Sequence, residues 1–119
     1  MKKKILIIGY GSIGKKHADI INKYYKEFKL YILSSRKIKR YDNIISLKNI
    51  KTIDPDFIII ASETYKHHKQ LLFIEKNFKN KKILVEKPLF EKKINFKIKN
   101  NKVFVAYNLR FHSILNFIK

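Results

Sequence analysis

The 119 residues suffice for one domain with its own core but not for two, and a 45% hydrophobic content argues against disorder. Cysteine is absent, which excludes disulfides, thiolate metal sites and cysteine nucleophiles; no metal site is expected, and with no leader-like segment or run of about 20 apolar residues the expectation is a soluble, cytoplasmic protein without a membrane partner. The formal net charge of +19 invites a nucleic-acid reading, but the lysines are spread along nearly every segment and arginine occurs only at Arg36, Arg40 and Arg110, so no specific nucleic-acid partner is expected.

The first element is a short apolar run, Lys3 to Ile8, that ends in glycine and reads as a buried parallel strand. From Ser12 the period becomes helical, with Ile13, His17, Ile20, Ile21, Tyr24, Tyr25 and Phe28 on one side. Leu30 to Leu33 is a second strand, closed by Ser34-Ser35-Arg36. Residues 37 to 54 are polar and weakly patterned, with one helical turn expected around Leu47 to Ile50.

Phe57 to Ala61 is the clearest buried strand, introduced by a turn at Asp54-Pro55-Asp56. A helix is predicted from about Tyr65 to Phe78, with His67, Leu71, Ile74 and Phe78 along one seam. Ile83 to Val85 is a fourth strand, stopped before Pro88 because proline cannot donate to a central ladder. A Lys-rich helix or loop covers Glu91 to Asn101, Val103 to Ala106 is a fifth strand, and Leu109 to Ile118 reads as helix. Strands alternating with amphipathic helices predict a Rossmann-type doubly wound parallel sheet in three α/β/α layers, with residues 1–119 as a single domain.

Gly9-Tyr10-Gly11-Ser12-Ile13-Gly14 matches the G-x-G-x-x-G pattern and meets its structural condition, following a predicted strand and opening a predicted helix. Gly9 permits the tight turn, Gly11 lets backbone approach a pyrophosphate, and Gly14 lets helix pack on strand. The helix N-terminus then faces the phosphates. All 3 glycines of the chain lie in this loop, which makes a chance match a poor explanation.

The end of the second strand bears on the choice of cofactor. A fold that prefers NAD usually places Asp or Glu there for the ribose 2′-hydroxyl. Here Ser34, Ser35, Arg36 and Lys37 follow one another, with no acid before Asp42. Hydroxyls and cations suit a 2′-phosphate, which favours NADP over NAD. The alternative is that Arg36 and Lys37 belong to the general excess of basic residues.

Four segments in order resemble the glucose-fructose oxidoreductase and inositol dehydrogenase (Gfo/Idh/MocA) family. They are the glycine loop continuing Lys15-Lys16-His17-Ala18, then Ala61-Ser62-Glu63-Thr64-Tyr65-Lys66-His67-His68, then Val85-Glu86-Lys87-Pro88-Leu89, and finally Ala106 to His112. The resemblance implies that Lys87 of Glu86-Lys87-Pro88 reaches the nicotinamide ribose and the substrate hydroxyl. Lys87 is therefore the candidate catalytic residue, polarising the reacting oxygen, with Glu86 orienting it. Thr64 and His67 correspond to the family's Thr-x-x-His segment beside the cofactor. Equally, Thr64 can cap the following helix and His67 can belong to its buried seam. His17 is expected to pack rather than react.

Asn108, Arg110 and His112 fall where substrate contacts begin in such enzymes, and Arg110 suits a carboxylate or phosphate on a sugar. Members of the family carry a second α/β domain that supplies the substrate pocket, much of the dimer interface and an acid–base pair. The 119 residues have no room for it. The expectation is therefore the cofactor half of an NAD(P)-dependent oxidoreductase of sugar-like substrates, incomplete without a C-terminal domain: a fragment of a longer protein, the product of an interrupted gene, or a piece that works with a separate C-terminal partner, with a homo-oligomer as the other partner expected. The alternative of a different class is a non-catalytic NAD(P)-binding module or redox sensor.

Overall fold

The computed structural model describes residues 3–35, 37–38, 41–44, 47–86 and 98–106. Their strands are β1 (Lys4–Ile8), β2 (Lys29–Leu33), β3 (Asp42–Ile44), β4 (Phe57–Ile60), β5 (Lys82–Glu86) and β6 (Lys102–Ala106), all parallel in the spatial order β3-β2-β1-β4-β5-β6. Three helices are described, α1 (Ser12–Tyr24), the one-turn α2 (Ile50–Ile53) and α3 (His67–Asn77). Tight 3-10 turns at Leu47–Asn49 and Thr64–Lys66 lead into α2 and α3. The order reverses direction between β1 and β4, which is the switch point where an open α/β sheet leaves a crevice at its carboxyl edge.

The central strands are apolar on both sides because both faces are covered. Ile5 and Ile7 of β1 pack with Ala18 and Ile21 of α1, joined by Ile32, Ile59 and Leu84. Leu6 and Ile8 turn the other way, onto Leu71 and Ile74 of α3, Ile50 of α2, and Ile58, Ile60 and Val85. Alternate residues of a strand thus reach opposite layers. The layers are α1 on one face and α2 with α3 on the other. Fully burying one such aliphatic side chain contributes about 1.5–3 kcal/mol, so the β1 and β4 pair anchors the sheet.

Three boundaries differ from the sequence expectation. First, α1 stops at Tyr24: Tyr25 leaves the helical region at φ −129° and ψ 58°, and Phe28 sits in the turn beyond. Both rings still pack against the α1-side core. Their helical spacing reflected shared burial, while the backbone was already turning toward β2.

Second, β3 lies in the stretch read as polar and unpatterned. It is three residues long and, among the described strands, pairs only with β2. Asn43 reinforces the junction, its Nδ2 donating to the Ile32 carbonyl at 3.1 Å and its Oδ1 accepting from the Ile38 N–H at 3.1 Å. Third, the turn expected at Leu47 to Ile50 continues through Ile53. It ends in Asp54 with φ +50° and ψ 64°, a left-handed cap whose N–H donates to the Ile50 carbonyl. The helix expected at Leu109 to Ile118, and residues 91–97 of the Lys-rich segment, lie outside the described residues.

At the far end of α3, the Glu75 carboxylate is tied to the approach to β6. Its Oε2 accepts from the Lys99 and Asn100 N–H groups at 2.8 and 2.9 Å, and its Oε1 accepts from Asn101 Nδ2 at 3.0 Å. Burial alone would raise its pKa. The N–H donors of Lys99 and Asn100, with help from Asn101, outweigh that and hold the carboxyl below its ordinary range.

Candidate functional site

The three glycines have separate physical reasons to be glycine. Gly9 follows β1 with φ +99°, where L side chains are strained. A Cβ there would also lie 2.9 Å from the Ser62 backbone. The turn is held from both sides: the Gly9 N–H donates to the Leu33 carbonyl at 2.9 Å, and the Ala61 N–H donates to the Ile8 carbonyl at 2.8 Å. At Gly14 a Cβ would sit 2.2 Å from the Gly9 carbonyl oxygen, so helix and turn touch backbone to backbone. Gly11 differs from both. A Cβ added there meets none of the described residues within 4 Å.

Gly11 is also the N-cap of α1, with an extended backbone and no side-chain cap, and the first turn contains no acidic residue. The first intrahelical bond runs from the Lys15 N–H to the Gly11 carbonyl at 2.9 Å. The N–H groups of Ser12, Ile13 and Gly14 precede it and have no partner within the helix. Together with the positive end of the helix dipole they make a site for an anion.

These groups open onto a cavity of about 550 Å³ at the carboxyl ends of β1, β2 and β4, within the size range of small-ligand pockets. Gly9, Tyr10, Gly11, Ser12 and Ile13 line one side, and Ser34 and Ser35 line the end of β2. Ala61 and Ser62 complete the floor. Nine of the residues singled out in the sequence therefore share one cavity. Gly14 lies behind it in packing contact with Gly9.

Thr64 and His67 are not among its described lining. Thr64 begins the 3-10 turn, whereas the N-cap of α3 is Lys66 and no side chain caps that helix. The expected Thr64 cap is not formed, because the extra 3-10 turn moves the helix start two residues on. His67 is buried and bonds through Nε2 to the Ser62 carbonyl at 2.9 Å. Since a carbonyl can only accept, Nε2 carries the proton. His17 is buried at 0% exposure with neither ring nitrogen partnered, and burial lowers its pKa to about 4; it is a neutral packing group.

The structure adds wall residues that the sequence reading passed over: Leu47, Glu63, Lys66 and Gln70. Lys66 Nζ and Glu63 Oε2 pair at 3.0 Å on the rim. Gln70 lies three residues after His67 in the helical seam, a spacing that marks it as inward-facing. Arg36, Lys87, Pro88, Asn108, Arg110 and His112 lie outside the described residues. The backbone of Glu86 ends β5 beside Ala106 of β6.

Among the described residues no group of three or more His, Cys, Asp or Glu is arranged to hold a metal ion. No described helix is long and apolar enough to cross a membrane.

Residues 3–97 match the Gfo/Idh/MocA profile, described as an oxidoreductase family with an NAD-binding Rossmann fold. No curated protein matches the sequence.

Among solved structures, the WlbA dehydrogenase of Chromobacterium violaceum in complex with NADH and UDP-GlcNAcA is similar at 17% identity and a TM-score of 0.64. That match covers 76% of this chain and 29% of the dehydrogenase. Scyllo-inositol dehydrogenase of Lactobacillus casei, with bound NAD(H) and scyllo-inositol, is similar at 23% identity and a TM-score of 0.62, again over 76% of this chain and 29% of the enzyme. RSP, a Rex-family repressor, is similar at 15% identity and a TM-score of 0.68 over 98% of this chain and 57% of the repressor.

The chain thus spans under a third of the length of these two dehydrogenases. The match over residues 3–97 nevertheless covers most of the sequence: the chain belongs to the Gfo/Idh/MocA oxidoreductase family and has its NAD-binding Rossmann fold.

Proposed function

We propose that the chain holds a nicotinamide dinucleotide along the carboxyl-edge crevice and serves as the cofactor half of an oxidoreductase. The reaction would move hydride between the nicotinamide and a sugar or sugar-derived alcohol or carbonyl. The observation that carries the reading is Gly11: its missing side chain relieves no contact with the described residues, yet it stands before the uncapped N-terminus of α1. A pyrophosphate needs that clearance and those N–H donors. The dinucleotide, when bound, supplies the hydride donor or acceptor. The protein's own part is to hold the phosphates at Gly11 to Gly14 and the ribose at Ser34 and Ser35.

NADP is the favoured form. Neither described residue at the end of β2 is acidic, and Asp42 lies away from that end, level with the middle of β2. It pairs in register with Tyr31 at the amino end of β3, with its Oδ2 3.6 Å from Lys29 Nζ. Arg36 would supply the cation for the 2′-phosphate. Lys87 is assigned to polarise the reacting oxygen. Turnover further requires a positioned substrate and a proton acceptor, which we assign to polypeptide outside these 119 residues. The cytoplasm is the proposed compartment.

Titration with NADPH and NADH tests the reading directly, and the absence of tryptophan leaves the cofactor's emission free of indole overlap. Saturable binding of both, tighter for NADPH, is expected. Tighter NADH binding would overturn the preference, and no binding of either would overturn the function.

A second reading, a non-catalytic NAD(P)-binding module or redox sensor, is favoured by one observation: the similarity to a repressor runs over 98% of the chain. Lys87→Ala separates the two, since it should abolish turnover with the completing domain and leave cofactor affinity unchanged. Turnover that survived this change would remove Lys87 from the mechanism.

A further inference from the structure

Ser62 is held by α3 at both of its polar ends. Its carbonyl accepts from His67 Nε2 at 2.9 Å, and its hydroxyl donates to Gln70 Oε1 at 2.6 Å. The second bond fixes the carboxamide of Gln70, a residue only 8% exposed. With the oxygen occupied, the Nε2 amide group is left with two N–H donors and no partner among the described residues. Gln70 nonetheless lines the cavity. That amide is the accessible end of an otherwise buried side chain, and on the wall of a ligand cavity an acceptor on the ligand can bond it in place of water.

The position of Gln70 says which part of the ligand this is. The glycine loop and α1 occupy one face of the sheet, whereas Gln70 belongs to α3, whose Leu71 and Ile74 pack on the other. On that second face Leu47, which packs against the core beside Leu33, offers the cavity an apolar wall. Ser34 and Ser35 lie at the intervening end of β2. A leucine and an inward amide across from two hydroxyls suit a flat apolar ring with acceptor nitrogens on its edge.

We propose that Gln70 is a specificity-determining residue for the adenosine end of the dinucleotide, donating from Nε2 to an acceptor nitrogen of the adenine while Leu47 packs on the ring. This assignment rests on the dinucleotide reading above. It gives Ser62 a positioning role, because the Ser62 hydroxyl decides which end of the Gln70 amide faces the ligand.

The test is to measure Kd for NADH and for reduced nicotinamide mononucleotide, which lacks the adenosine, in the full chain and two variants. Gln70→Glu keeps the side-chain length and an acceptor for the Ser62 hydroxyl but removes both donors. Gln70→Met removes donors and acceptor without adding charge. Both variants should raise the Kd for NADH about tenfold, the loss of one buried hydrogen bond, and leave the mononucleotide within twofold. Wild-type NADH affinity in Gln70→Glu would overturn the proposal and assign Gln70 to holding Ser62 alone. A parallel loss for the mononucleotide would also overturn it. Failure of the unaltered chain to bind NADH would instead overturn the dinucleotide reading itself.

Discussion

The crevice is bounded by two faces of one sheet, and they are built from different materials. On the α1 face the wall is backbone, with Gly9 folded under Ser62, Gly14 against the Gly9 carbonyl, and the open first turn of α1 beyond Gly11. On the α3 face it is side chain, with Leu47, Gln70 and the Glu63–Lys66 pair. Backbone recognition needs the absence of a Cβ at fixed places, so it leaves a compositional trace. Side-chain recognition uses residues equally at home on any amphipathic helix. The first kind of wall tolerates no substitution, whereas the second can be retuned one residue at a time.

Within the glycine loop, protein packing and ligand clearance are separable. Gly14→Ala places a Cβ 2.2 Å from the Gly9 carbonyl, and with backbone on both sides neither can yield cheaply. A loss of about 3 kcal/mol or more in denaturant unfolding is expected. Gly11→Val should cost under about 1 kcal/mol of stability, since the position is an extended N-cap facing open space. It should nevertheless weaken NADH and NADPH about 100-fold, or about 2.7 kcal/mol, by filling the pyrophosphate clearance. Equal stability losses in the two variants would show that the loop has one job rather than two.

The same distinction explains what could be read from the sequence. The buried strands were legible because parallel strands covered on both faces must be continuously apolar, as Ile5 to Ile8 and Phe57 to Ile60 are. The glycine loop was legible for the reason just given. The edge strand Asp42–Ile44 was not, since three residues pairing on one side need no apolar period and here rely on the Asn43 side chain. The end of α1 was not legible, because Tyr25 and Phe28 stay packed against the core, partly buried, after the backbone has left the helix. Thr64 looked like a cap because a 3-10 turn ahead of α3 has no sequence mark of its own. Gln70 was passed over as one polar residue in a helix; its significance depends on Ser62, eight positions away and across a turn.

Acid unfolding compares the faces by a second route. His17 lies in α1 at 0% exposure, unpartnered, with its pKa lowered by burial from 6.5 to about 4. The unfolded chain takes up this proton as pH falls below 6.5, and the native chain resists until about 4. Stability from this group is therefore complete above 6.5 and lost as pH falls to about 4, by about 3 kcal/mol at most. His17→Leu should abolish that part of the pH dependence while nearly conserving volume, a change of modest cost. An unchanged slope between pH 6.5 and 4 in the variant would show that His17 is not the group responsible.

Glu75 gives the α3 face its own acid response, smaller and at lower pH. Its carboxylate is held below its ordinary value of 4.5, with the N–H donors of Lys99 and Asn100 prevailing over burial. A depressed carboxylate contributes stability above its unfolded pKa and loses it as pH falls through the folded value. This loss therefore begins near 4.5 and below, where that of His17 is nearly complete. Glu75→Gln retains one acceptor but not the charge that two backbone N–H groups share at 2.8 and 2.9 Å. The donors are exposed and water can replace part of the interaction, so a cost of about 1 kcal/mol at neutral pH is expected. The variant should flatten the unfolding curve below pH 4.5 and leave the segment between 6.5 and 4 as it was. A change in the upper segment instead would mean that the two faces do not titrate independently, and that the joint between α3 and β6 is felt across the sheet at His17.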